Sequence, residues 1–74
     1  MYSVRNGKTI YLPENPDINS EVIVINEDGS NITVDGNGNK IKVRVTKDTS
    51  INWSNAGQSI NFYWFEDGPW WVAI

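Results

Sequence analysis

The chain has no cysteine and no histidine among its 74 residues. The first absence excludes disulfides and thiolate metal sites, and the second removes the commonest remaining zinc ligand. Together they also remove the commonest general base and the commonest thiol nucleophile. Small domains usually supplement a marginal core with disulfides, a metal or a partner subunit. Here only the partner subunit remains, so no cofactor is expected and association is. Basic charge is scarce as well: 6 Lys and Arg stand against 9 Asp and Glu, for a net charge of -3. That balance does not favour nucleic acid, which usually calls for a basic excess. No apolar run approaches the roughly 20 residues of a membrane helix. The opening Met1-Tyr2-Ser3-Val4-Arg5-Asn6-Gly7 has no apolar signal core. The expectation is a soluble single domain over residues 1–74, with the initial Met suggesting a complete small gene product and the lack of cysteine suiting a cytoplasmic bacterial origin.

What is present alternates with period two. Apolar and polar residues take turns through Ile41-Lys42-Val43-Arg44-Val45-Thr46, as in a half-buried strand. Val22-Ile23-Val24-Ile25 is a β-branched run too short for a helix. Thr9-Ile10-Tyr11-Leu12 and Ile32-Thr33-Val34 are shorter pieces of the same kind. Ile60–Phe65 and Trp70–Ile74 read as the arms of a hairpin around Glu66-Asp67-Gly68-Pro69. Turn residues recur at Leu12–Asp17, Glu27–Ser30, Asp35–Asn39 and Ser54–Gly57, and no helix longer than a turn is expected. The expected fold is all-β, a small and mainly antiparallel barrel or sandwich. Its strands should include Val22–Ile25, Ile41–Val45, Ile60–Phe65 and Trp71–Ile74.

Three constellations could carry chemistry. Nine carboxylates could supply an acid/base pair, but Asp28, Asp35 and Asp67 each precede a glycine, an ordinary turn arrangement; the reading is that the protein is not an enzyme. Asp35-Gly36-Asn37-Gly38-Asn39 places oxygen side chains at alternate positions like the start of a calcium loop. Lys40 and Thr46 stand where that loop wants Gly and Glu, so a tight turn is the better reading. Lys40, Lys42 and Arg44 lie two apart and should share one strand face, with Ile41, Val43 and Val45 toward the core. Such a stripe is a solvated face, a guard on an edge strand, or a site for docking on an acidic surface.

The aromatic residues say most. Three of the four tryptophans fall within Trp64–Trp71, and alternation puts Ile60, Phe62 and Trp64 on one face and Tyr63 and Phe65 on the other. Trp70 and Trp71 must point to opposite sides. So small a chain can hardly bury every ring, and surplus Trp and Tyr favour an interface. Tyr63, Phe65 and Trp70 are assigned to the partner surface and Phe62, Trp64 and Trp71 to the core; alternation alone allows the two sets to be exchanged. A small carbohydrate-binding or host-factor-binding module would use the same exposed rings.

The order of segments then resembles a known family. It runs Thr9-Ile10-Tyr11-Leu12-Pro13-Glu14-Asn15-Pro16, Val22–Gly29, Asn31-Ile32-Thr33-Val34-Asp35-Gly36-Asn37-Gly38-Asn39-Lys40-Ile41, and a closing Ser59–Trp64, Asp67-Gly68, Trp71–Ile74. From about Lys8 to Ile74 this is similar to a β-rich module of tailed-phage virion proteins, found in tail fibres, head fibres and capsid decoration proteins. Trp64, Phe65 and Trp70 exceed what the family's closing hairpin contains. The resemblance implies a structural protein of the virion, assembled in the host cytoplasm. It would bind capsid or fibre proteins, with no catalytic residues and no nucleic-acid or membrane partner. It also implies a homo-oligomer, with three copies as in fibre-type proteins.

Overall fold

A computed structural model describes all residues, Met1–Ile74. It contains nine strands and no helix: β1 (Tyr2–Val4), β2 (Thr9–Tyr11), β3 (Glu21–Asn26), β4 (Ile32–Asp35), β5 (Lys40–Val43), β6 (Thr46–Asp48), β7 (Ser50–Trp53), β8 (Ser59–Phe65) and β9 (Trp70–Ala73). They form a six-stranded sheet in the order β1-β3-β8-β9-β5-β6 and a three-stranded sheet in the order β2-β4-β7. The two sheets form an open sandwich and do not close into a barrel. Both are mixed: β1 runs parallel to β3, β2 to β4 and β5 to β9, and the other pairings are antiparallel.

The alternating apolar positions explain the packing. Val24, Ile41, Phe62 and Trp71 of the larger sheet meet Ile32 and Val34 of the smaller one in a buried cluster that also holds Val4 and Leu12. Ile10, Val22, Ile51, Trp53, Ile60, Trp64 and Ala73 pack around it, half-buried. Trp64 and Trp71 are cross-strand partners whose rings meet edge to face at 5.5 Å, a favoured aromatic geometry. The indole Nε1 of Trp71 is buried there without a hydrogen-bond partner.

The expected strand Ile41–Val45 is cut short. β5 ends at Val43, Arg44 adopts φ 58°, and the chain turns back into β6. Ile41 is therefore the sole core residue of that stretch; Val43 is 36% exposed and Val45 90%. Alternation failed as a guide because a two-residue hairpin, Arg44-Val45, interrupts the strand between the paired Val43 and Thr46.

One polar side chain is fully buried. Asn26, at the end of β3, donates from Nδ2 to the carbonyls of Ser30 (2.7 Å) and Trp53 (3.0 Å), and its Oδ1 accepts from Gly29 N–H (2.8 Å). Its backbone N–H donates to Gln58 O and its carbonyl accepts from Gly57 N–H. Every polar group of the residue is thus matched, as burial demands.

A second polar cluster pins the turn after β1 to the turn after β3. Asp28 accepts from the hydroxyl and N–H of Ser30 and from Asn6 N–H, while the Ser30 hydroxyl also accepts from Gly7 N–H. These donors, the Ser30 hydroxyl foremost, hold the Asp28 carboxyl down from 3.8 to about 2.

Two outcomes are expected. Asn26→Ala removes three hydrogen bonds at a buried site and should lower stability by about 2–4 kcal/mol, read from the urea midpoint. Asp28, whose folded value is depressed, stabilises the fold fully above its unfolded value near 3.8 and loses that contribution as pH falls toward about 2. Denaturation between pH 5 and pH 2 should show a stability loss that is smaller in Asp28→Asn.

Candidate functional site

The larger sheet has two faces, and the smaller sheet packs against only one of them. Direct cross-strand partners share a face, so the register defines the other. One row crosses five strands: Glu21 on β3, Tyr63 on β8, Val72 on β9, Lys42 on β5 and Lys47 on β6. A second row holds Phe65, Trp70 and Lys40. Ile23 pairs with Asn61 in a third, and Ile25 with Ser59 and Ser3 in a fourth. The side chains that a sheet of this kind usually leaves polar are here Ile23, Ile25, Tyr63, Phe65, Trp70 and Val72.

This outer face brings together the three rings assigned to a partner surface. Phe65 is 47% exposed and Tyr63 37%. Phe65 and Trp70 are cross-strand partners with centroids 5.9 Å apart and a tilt of 47°. Phe62 and Trp71, on the other side of the same hairpin, are buried in the core. The turn at Glu66–Pro69 lets the Trp70 indole fold over it: a methyl group on Gly68 would lie 2.5 Å from Cδ2 of Trp70. Asn61 donates to the Tyr63 hydroxyl at 3.2 Å and holds that ring in the face.

Lys40 and Lys42 sit on this face within β5, whereas Arg44 leaves the strand at its tip. Lys47, which the stripe reading did not include, joins them through its pairing with Lys42. Its Nζ lies 4.2 Å from the centroid of the Trp70 ring and that of Lys42 lies 5.4 Å away. Two like charges directly opposite each other repel, and the Trp70 indole, which both approach, compensates by cation–π attraction. None of these four cations has a carboxylate partner; the single ion pair of the chain joins Arg5 to Glu27 near the opposite edge of the sheet. Near the C-terminal end of β9 an open groove of about 760 Å³ is lined by residues from both sheets, with Ile51, Ile60 and Ala73 from around the core and Lys42 and Arg44 beside them.

Other candidate residues have local structural work. Asn37 and Asn39 donate from Nδ2 to the carbonyls of Leu12 and Glu14, pinning the proline-rich segment after β2. Asp35 accepts from Asn37 N–H within its turn. No group of three or more His, Cys, Asp or Glu side chains is placed to hold a metal ion. No protein-family model, curated protein or solved structure matches the chain.

Arg44 is the one residue other than Asn or Gly with positive φ. That conformation crowds the Cβ of an L-residue. Arg44→Gly should therefore stabilise the fold by about 0.5–1 kcal/mol, after the added chain entropy of glycine is set against the relieved strain. A thermal unfolding midpoint that rises by a few degrees checks it.

Proposed function

We propose that the protein is a non-enzymatic assembly module that acts by burying the outer face of its larger sheet against other protein. The observation that carries this reading is the group of Ile23, Ile25, Tyr63, Phe65, Trp70 and Val72, spread over four rows of a sheet face that the second sheet does not cover. Contiguous apolar surface of this kind marks interaction sites on small soluble domains. Tyr and Trp there are the residue types that dominate binding hot spots. The setting proposed for it is a phage particle, as a capsid decoration or fibre component. That part is supported by the order of segments in the sequence, from Leu12-Pro13 through Asn31–Gly38 to the closing hairpin.

A sugar-binding platform would draw on the same rings, but it needs an open ring face. At Trp70 an ammonium group lies over the ring and Phe65 lies beside it, which favours a protein partner over a neutral glycan.

The protein should co-sediment with particles of its parent phage and show no tryptophan quenching with neutral glycans. Phe65→Ser combined with Trp70→Ser should remove at least nine-tenths of the particle-bound fraction, since hot-spot truncations cost about 2 kcal/mol or more each. Unchanged binding by that folded variant would send the function to another surface, and saturable quenching by a specific sugar would favour the glycan reading.

A further inference from the structure

The larger sheet is symmetric in its strand order about the seam between β8 and β9: two strands, β3 and β1, lie on one side beyond β8, and two, β5 and β6, lie on the other beyond β9. The charges on its outer face are not symmetric. Along the row Glu21, Tyr63, Val72, Lys42, Lys47 the anion stands at one end and the cations at the other, with apolar and aromatic side chains between. Glu21 and Lys42 are both free of ion pairs within the chain.

We infer that this face docks on the same face of a second copy, about a twofold axis lying in the interface and running along the β8–β9 seam. The inference rests on the reading above of this face as the binding surface, and it names a second copy as the occupant of that face when the chain is free of a particle. A twofold axis in that direction keeps each row in place and reverses it. β8 then meets β9 of the second copy, and β3 meets β5. Glu21 of each copy faces Lys42 of the other, Tyr63 faces Val72, and Phe65 faces Trp70. The contact is isologous, so each of these pairs occurs twice. Any arrangement in which the rows coincide without reversal sets Glu21 on Glu21 and Lys42 on Lys42, and like charges across an interface exclude partners.

The size of the face sets the strength. Six strands of three to seven residues, about 4.8 Å apart and rising about 3.3 Å per residue, give a face on the order of 400 Å² per copy. The two copies together would bury about 800 Å², below the roughly 1,000 Å² of a stable specific interface and within the range of weak, transient ones. The association is therefore a weak one, and sheets packed in this way sit about 10 Å apart with strands within about 30° of each other. Fibre-type resemblance points to three copies; the charge order points to two.

The test is sedimentation equilibrium of the full chain from low to high micromolar concentration, with circular dichroism to check folding. Wild type should pass from 8.4 kDa to twice that mass. Glu21→Lys and Lys42→Glu, each at an exposed or half-exposed position, should each weaken the dimer about tenfold or more. An equimolar mixture of the two variants should recover the wild-type mass. In the mixed dimer the introduced lysine of one copy faces the introduced glutamate of the other, and the unaltered Lys42 of the first faces the unaltered Glu21 of the second. A merely structural effect of either substitution cannot produce that rescue. A monomer at every concentration would overturn the inference and leave the face to an unlike protein, which the particle co-sedimentation assay reads separately. A trimer, or a dimer indifferent to both charge reversals, would overturn it too.

Discussion

The hydrogen bonds of Asn26 are the constraint on which the two-sheet arrangement depends. The chain passes between sheets six times, two of them at the turn from β3 to β4 and at the loop from β7 to β8. These two are neighbours in space, and Asn26 touches both. Its side chain holds Gly29 and Ser30 of the first crossing and Trp53 at the start of the second, while its backbone holds Gly57 and Gln58. A hydrophobic residue in the same place would bury well but would leave two carbonyls and an N–H without partners in a dry corner, a heavier loss than the transfer gain of one side chain. The core by itself does not fix the angle between the sheets, because apolar contact is non-directional. A fully satisfied polar residue at the corner does.

With that corner fixed, the disposition of the aromatic residues follows from area. The three-stranded sheet is too small to cover more than one side of the six-stranded one. It buries Val24, Ile41, Phe62 and Trp71, and those side chains fill the available space. Tyr63, Phe65 and Trp70 alternate with them along the same two strands and have nowhere else to go but the outer face. The chemistry of that face is thus tied to the geometry of the core: strands dense enough in rings to stabilise a small core deliver a matching set of rings to the far side.

Much of this was legible in the sequence, for physical reasons that differ by element. β3 and the β8–β9 hairpin are runs of β-branched and aromatic residues bounded by turn residues, so local preference and tertiary role agree. The division of the hairpin's rings between two faces follows from period two alone. β1, β6 and β7 carry no clear local signal: Tyr2-Ser3-Val4 and Ser50–Trp53 are short and pair with strands distant in sequence, and Thr46-Lys47-Asp48 is polar and follows a hairpin tip, Arg44-Val45, that has no turn residues. The parallel pairings of β1 with β3 and β5 with β9 are invisible to local pattern for the same reason. Val43 and Val45 looked like core because alternation carries no sign of a hairpin whose tip residue, Arg44, is an unusual occupant of positive φ. Asn26 reads in sequence as one more turn residue beside Glu27-Asp28-Gly29. Lys47 escaped the basic stripe because its place beside Lys42 exists only once β6 folds back.

An uncovered apolar face is an aggregation hazard unless its geometry restricts how chains can meet. The edges of the larger sheet are blunt: β1 and β6 have three residues each. β6 carries Lys47 and follows the exposed Arg44, while β1 leads into Arg5, paired with Glu27. Short, charged edges oppose the addition of further strands in the plane of the sheet. What the edges refuse, the face permits, and there the cations are drawn inward over Trp70 and not outward to the rim. On the proposed reading of the outer face, the placement of charge opposes an open ladder of strands and leaves a closed contact between faces, in which the number of copies is finite.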